Sequence, residues 1–591
     1  MKNALVAKIL YEIADLLDLD GVAFKPRAYR RAAEVVESLA EPIEDLVASG
    51  AHAELPGVGE AIAKKIAEIV ETGRLAYHEE LRAKLPIDLY ALTRVEGVGP
   101  KTAKLLYDEL GVKTLDDLER AARDGQIRSV KGLGEKTEAK ILRGLVETRG
   151  VEGRILLGVA LPLAERLIEA LRQTSLFQRL EYAGSLRRGR ETIGDLDLLG
   201  VSDEPAAAAA AFVGLPDVAE ILAHGESKAS VRLHSGLQVD LRIVPNESFG
   251  AALQYFTGSK AHNIALRKLA VAKGWKLNEY GLYDSTDRTL AGEDEDGIYR
   301  AFGLAPIPPE LREDAGEIEL AARATAGAGS ASLSSGEPGS LPKLIEVSDL
   351  RGDLHVHTDA SDGTASLEEM VAAAQARGLE YIAITDHARF VEIIGGHTPT
   401  TLLAQMEEIA ALNEKLEGFR VLSGIEVNIQ PDGSLDLPDE LLARLDWVVA
   451  SVHSHFRQTR DEMTARLQRA CENEHVDCLA HPTGRKIGER PPYDADWDLV
   501  FRTAAEHACA LEINANPIRL DLNAELVRRA ILASQGLAAG CKLAIGSDAH
   551  APEHFDFLRL GVLTARRGWA TAKDVVNSRA PAGILRSRGR V

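Results

Sequence analysis

From residue 350 onward the chain alternates short apolar runs with helical stretches, and most of the runs end in a histidine or a carboxylate. The runs are YIAIT (381–385), VLSGIEV (421–427), WVVASVH (447–453), CLAHP (478–482), ALEIN (510–514) and KLAIGSD (542–548). Runs this short, spaced by helices, read as strands of a parallel sheet. RGDLHVHTDASDG (351–363) adds His355 and His357, two apart on a strand, so both rings face one side, with Asp362 in the turn beyond. His387, Glu426, His453, His481, Asp548 and His550 stand at the ends of later runs. If the strands close into a barrel, these nine residues meet at its C-terminal mouth, where barrel active sites sit. Any one of these histidines alone fits a hydrogen-bonded core position; the full set points to metal. Eleven of the 16 histidines lie after residue 350, and imidazole is the commonest metal-ligating side chain. Imidazole and carboxylate donors without thiolate suit manganese, zinc or iron equally. Arg485, in HPTGR, is a candidate phosphate contact.

Upstream, residues 321–345 are rich in Gly, Ser and Ala, a composition that reads as a flexible linker. The first 150 residues read as all-helical and hold a weak repeat: LPGVGEAIAKKI (55–66), VEGVGPKTAKLL (95–106) and VKGLGEKTEAKI (130–141). Each carries a Gly-x-Gly turn, at Gly57 and Gly59, Gly97 and Gly99, and Gly132 and Gly134. Glycines let backbone N–H groups approach a phosphate, and the helix that follows offers its positive end to the same anion. Lys65 and Lys101 follow two of the turns. Three copies at one spacing predict helix-hairpin-helix elements that hold DNA backbone without reading sequence.

AGSLRRGRETIGDLDLLG (183–200) is the most informative stretch of the first half. Gly184 and Ser185 make a turn able to approach a triphosphate, with Arg187 and Arg188 to neutralise it. Asp195 and Asp197 alternate on a strand and so face one side. QVDLRIV supplies a third carboxylate, Asp240. Three carboxylates suit a pair of hard cations, magnesium or manganese, which is what in-line phosphoryl transfer requires. YFTGSKAHNIALRKLA (255–270) then places an aromatic pair before a glycine, a wall and floor for a flat ligand. Net charge is −21, which excludes a simple nucleic-acid-coating protein but not local basic patches. Four cysteines without a CxxC pair fit buried thiols in a reducing compartment. No run is apolar enough for a membrane span or a signal peptide.

Together these motifs resemble the bacterial and archaeal family X DNA polymerases, polymerase-beta-like enzymes with a C-terminal polymerase-and-histidinol-phosphatase (PHP) domain. The resemblance covers nearly the whole chain. It implies an all-α helix-hairpin-helix N-terminal region, an α+β nucleotidyltransferase palm and thumb, and a distorted (β/α)7-type barrel. The implied divisions are an N-terminal helical domain (1–85), a fingers-like domain (86–150), a palm (151–250), a thumb (251–320), a linker (321–345) and the PHP domain (346–591). By the same resemblance, Tyr255 and Phe256 lie against the nucleotide sugar, Gly258 allows its close approach, Asn263 meets the nascent base pair and Arg267 the template. Lys260 and His262 depart from polymerase beta. Lys65 matches that enzyme's Schiff-base lysine. Phe24 and Ala61 stand where it has basic residues, so a grip on a 5′ phosphate is the expected role and lyase chemistry the alternative. His355, His357, Glu426 and Asp548 would hold one metal, Glu426, His453 and His481 a second, and Asp362, His387 and His550 a third.

The implied activity is gap filling in DNA repair with dNTPs on gapped or nicked DNA bearing a 5′ phosphate. Alongside it stands metal-dependent 3′→5′ exonuclease or 3′-end processing. Three alternatives stay open: a PHP domain acting mainly as AP endonuclease or phosphatase, a purely structural PHP domain, and a non-catalytic DNA-binding scaffold. A cytoplasmic, nucleoid-associated monomer is expected.

Overall fold

The computed structural model describes residues 2–586, apart from 20, 21, 23, 24, 39–42, 54, 56, 57, 94, 96, 152, 153, 327–340, 389–395 and 534–539. Gly57, Phe24 and most of the expected linker lie outside the described residues.

Every described secondary-structure element of the N-terminal region is a helix, from Lys2–Leu19 to Glu135–Val151. Amphipathic faces explain its assembly: Ile62, Ile66 and Ile69 on one helix and Ala103 and Leu106 on another are buried, while the lysines between them stay at or near the surface. Residues from Val6 to Leu145 share one apolar core that spans both expected N-terminal segments. Gly97 and Gly132 take φ of 91° and 92°, the left-handed region that favours glycine. Gly59 and Gly99 each precede a helix that has no side-chain cap, so first-turn N–H groups stay unclaimed by the protein's own side chains.

A five-stranded sheet follows: β1 (Arg179–Tyr182), β2 (Asp195–Val201), β3 (Val218–His224), β4 (Lys228–Leu233) and β5 (Gln238–Ile243), in the order β1-β2-β5-β4-β3. Only β2 and β5 run parallel. Leu196, Leu198, Val239 and Leu241 share an apolar core with the helix Leu157–Arg172, while Asp195, Asp197 and Asp240 take alternate positions. The thumb-like part carries Phe249–Thr257, Lys260–Ala272 and a small antiparallel sheet of β6 (Lys276–Asn278), β7 (Gly281–Tyr283) and β8 (Thr289–Ala291).

The C-terminal part is a seven-stranded parallel sheet in sequential order: β9 (Gly352–Val356), β10 (Tyr381–Ile384), β11 (Arg420–Asn428), β12 (Trp447–Ser451), β13 (Cys478–Leu479), β14 (Ala510–Asn514) and β15 (Leu543–Gly546). A bridge between Val356 and Ala549 brings the last strand's end beside the first, so the sheet nearly closes into a barrel. Every strand is buried along almost its whole length, as expected for a parallel sheet covered by helices. All four cysteines are free and buried. No helix among the described residues is long and apolar enough to cross a membrane.

The C-terminal part does not hang free. Leu520 and Leu560 lie inside the apolar core of the five-stranded sheet, and Trp569 inside that of the thumb. Arg559 pairs with Glu165 at 3.0 Å and Arg566 with Glu310 at 2.7 Å.

Gly250 shows how tightly the thumb closes. A β-carbon there would lie 2.1 Å from the carbonyl carbon of Asp294, backbone against backbone with nothing to yield. Gly250→Ala is therefore expected to cost at least about 2 kcal/mol, seen as a lower denaturation midpoint with unchanged far-UV signal for the barrel.

Candidate active sites

The first site grows from the pairing of β2 and β5. Their register sets Asp197 opposite Asp240 and Asp195 opposite Gln238. With Leu196 and Val239 taking the apolar face, all three carboxylates share the other. Gln238 donates from Nε2 to Asp240 Oδ1 at 3.2 Å. The turn that starts at Gly184 stands directly against this group. Gly184 has φ +62°, and a β-carbon there would sit 2.4 Å from Asp197 Oδ2. Burial, then Asp195 and Asp240, push the Asp197 carboxyl up to about 6, against the pull of Arg242 and Arg188. A carboxyl raised by burial and by two neighbouring carboxylates calls for a counter-cation, and a pair of hard divalent cations fits the donor set.

The arginines and aromatics around that triad are held in place by contacts within the protein. Arg187 grips Glu295 through both terminal nitrogens, at 2.7 and 2.8 Å, and donates to Thr257 Oγ1 at 2.9 Å. Burial would raise Glu295, but Arg312 and Arg187 hold it down at about 2. Arg188 donates to Glu313 at 2.9 Å and to the Thr257 carbonyl at 2.7 Å. Ser185 lies in the short helical turn Gly184–Arg187. Tyr255 and Phe256 meet edge to face at 5.1 Å, with Arg267 over the first ring at 5.7 Å and Arg242 over the second at 4.6 Å. Asn263 is buried, and its amide is spent inside the protein. Nδ2 donates to the carbonyls of Tyr255 and Gly258 at 2.7 and 3.2 Å, and Oδ1 accepts from Gln254 at 3.0 Å. In this state Asn263 ties down the C-terminal end of the helix that carries the aromatic pair; the resemblance had implied contact with a base pair.

The second site lies at the C-terminal mouth of the barrel, and all nine residues expected there gather in it. His357, Asp362, His387 and His550 each offer one donor atom within 4.8 Å of the others, as do His355, His357 and Asp548, and His387, Glu426 and His453. His481 Nε2 lies 3.0 Å from Glu426 Oε1. The expected sets run into one another: His357 Nδ1 is 3.6 Å from Asp362, and His387 Nδ1 is 3.0 Å from Glu426. Burial would raise Glu426, but His387, His453 and His355 hold it well below the usual carboxylate range. Burial likewise would raise Asp362, which His387 and His550 keep low. In return, despite burial, Asp362 lifts His550 to about 9. His481 goes the other way, to about 3, by burial and then by the nearby Arg519.

An observation independent of charge tests the fit to metal. His355 Nε2, both ring nitrogens of His357 and His481 Nδ1 are buried without a hydrogen-bond partner. Buried polar atoms left unpaired are costly, and divalent cations satisfy these. Around the set stands a polar layer that orients it. Glu512 accepts from His355 Nδ1 and from the His481 backbone N–H, both at 2.6 Å. Asn428 Oδ1 faces His453 Nδ1 at 2.7 Å, and Ser451 donates to Glu426. Asn514 bonds Asp548 at 3.1 Å. Such partners fix ring orientation and donor strength.

Sequence reasoning missed this layer, although Glu512 and Asn514 alternate on a strand it had recognised. It also missed Arg242, Glu295 and Glu313. The last two reach the site across more than 100 residues of chain, with no local signal. Arg485 is placed otherwise than expected for a phosphate contact. Its guanidinium binds Glu191 of the palm at 2.7 and 3.3 Å and the carbonyls of Arg519 and Leu520. In the N-terminal region, Lys65 Nζ lies 5.1 Å over the Tyr77 ring and 3.4 Å from the Ala61 carbonyl. Gly59, Gly97, Gly99, Gly132, Gly134 and Lys101 occupy the helix entries of the three hairpins.

Comparison with known proteins decides the family. A protein from Bacillus subtilis (strain 168) named DNA polymerase/3′-5′ exonuclease PolX is 38% identical over 583 residues, 97% of each chain. The chain belongs to the family X DNA polymerases that carry a PHP domain. Family models agree segment by segment: a helix-hairpin-helix domain at 1–75, a SAM-like helix-hairpin-helix tandem at 89–147, the DNA polymerase beta thumb at 252–313 and the PHP domain at 353–514. Over the barrel alone, a probable phosphatase of Thermoanaerobacter sp. is 32% identical over 204 residues, 34% of this chain and 78% of its own. A probable phosphatase of Photobacterium profundum is 34% identical over 202 residues, 34% and 77%.

The raised Asp197 yields a pH prediction. The carboxyl titrates near 3.8 when unfolded and at about 6 when folded. The native state therefore holds more proton between those values and loses stability as pH rises through them. With divalent ions chelated, Asp197→Asn should melt above wild type at pH 7. The gap should shrink as pH falls toward about 4, as read by thermal melts across pH.

Proposed function

We propose that this family X enzyme extends a primer end across short gaps in DNA and trims or repairs 3′ ends with its PHP domain. The observation that carries the reading is two separate clusters of cation-seeking groups in one chain, one on the palm sheet and one at the barrel mouth.

Asp195, Asp197 and Asp240 hold magnesium or manganese in the palm. Those ions supply activation of the primer hydroxyl and charge neutralisation on the leaving pyrophosphate. The Gly184–Ser185 turn and Arg188 receive the triphosphate, while Tyr255, Phe256 and Gly258 border the sugar and Arg267 steadies Tyr255. The hairpin glycines with Lys65 and Lys101 grip the backbone of gapped or nicked DNA, Lys65 on the 5′-phosphate side. The N-terminal segments 1–85 and 86–150 thus serve DNA, 151–320 nucleotide transfer and 346–591 hydrolysis.

In the barrel, His355, His357, Asp362, His387, Glu426, His453, His481, Asp548 and His550 hold up to three manganese, zinc or iron ions. These supply an activated water and stabilise charge on the phosphoryl group. Glu512, Asn428 and Asn514 keep the ligands aimed. Phosphomonoester hydrolysis is the second reading for this domain, favoured by the probable phosphatases that match it.

Separate sites predict separable losses. Asp195→Ala should abolish dNTP-dependent extension and leave 3′ hydrolysis within about twofold, and His357→Ala should do the reverse, each loss at least about 100-fold. Both are read on a labelled primer in a gapped duplex. Loss of both activities in either variant overturns the two-site reading.

A further inference from the structure

The turn that would receive the triphosphate, Gly184–Glu191, is held at its far end by the PHP domain. Arg567, at the end of the helix Leu558–Arg567, donates from Nη1 to the Arg188 carbonyl at 2.8 Å and to Glu313 Oε1 at 3.2 Å. Leu563, one turn earlier, packs where a β-carbon on Gly189 would meet it at 3.3 Å. Two residues further on, Glu191 is gripped by Arg485, again from the PHP domain.

Glu313 is the centre of this contact. The same oxygen takes Arg188 Nε at 2.9 Å and Arg567 at 3.2 Å, with Arg190 at 3.8 Å. One carboxylate thus serves three guanidinium groups. Without Arg567, Glu313 would be left to Arg188 and Arg190 alone and would cancel more of the charge meant for an incoming phosphate. Arg567 is only 12% exposed, so water screens little of this effect.

We infer that Arg567 is a positioning residue of the polymerase site supplied by the PHP domain: it shares Glu313 with Arg188 and pins the Arg188 backbone, keeping that arginine available to the nucleotide triphosphate. The inference rests on the polymerase reading above. It makes the barrel part of the nucleotide site, apart from its own hydrolytic centre.

The test uses the full-length protein on a gapped duplex with magnesium and one dNTP. Arg567→Ala should raise the KM for dNTP about tenfold while kcat and the KM for DNA change less than about twofold. Three-prime hydrolysis by the barrel should stay at the wild-type rate, which also reports that the variant is folded. Arg567→Lys, which keeps one donor and the charge, should restore most of the KM. In a Glu313→Gln background the cost of Arg567→Ala should fall below about threefold, because the shared carboxylate is gone. A KM for dNTP unchanged in Arg567→Ala, or raised equally in the Glu313→Gln background, overturns the inference. Absence of dNTP-dependent extension by the wild-type protein overturns the polymerase reading itself.

Discussion

Carboxylates and imidazoles taken out of water must find counter-charges or surrender their own. Two places in this chain meet that condition by crowding, and both sites depend on it. On the palm sheet three carboxylates share one face, so Asp197 is pushed up by burial and its neighbours. At the barrel mouth the charges are mixed. Glu426, Asp362 and Asp548 stay ionised against surrounding histidines despite burial, while buried ring nitrogens of His355, His357 and His481 remain unpaired. Divalent cations relieve both conditions, repulsion in one and unsatisfied donors in the other.

The secondary structure that creates these clusters is ordinary. Alternation along β2 and β5 is enough to bring Asp197 opposite Asp240 once the strands pair in parallel. Near closure of the barrel brings residues from position 355 to position 550 to one rim. Behind them stands a polar layer, Glu512 above all, which holds His355 by its ring and His481 by its backbone.

Much of this was legible in the sequence, for a physical reason. Imidazoles and carboxylates at strand ends follow a period of two and a βα rhythm, and both survive in a linear reading. Asp195, Asp197 and the nine barrel residues were visible in that way, as were the hairpin glycines. Asn263 and Arg485 were not, because a side chain's polarity does not say whether its hydrogen bonds go to a ligand or to a neighbouring carbonyl. Glu313 was invisible altogether, since its value comes from three arginines of two distant segments meeting on one oxygen. The packing of Leu520, Leu560 and Trp569 into the polymerase cores was equally hidden. The linker composition marked a division of the chain and did not show that apolar burial joins its two sides.

If two cation pockets in one folded chain each act on phosphorus in nucleic acid, one substrate reports both. The most direct measurement follows a single internally labelled gapped duplex in manganese, first without and then with all four dNTPs, beside a chelator control. The expected result is a ladder of shortened primers without nucleotides, gap-length products with them, and no change in the chelator. A primer that keeps its length under every condition would contradict it.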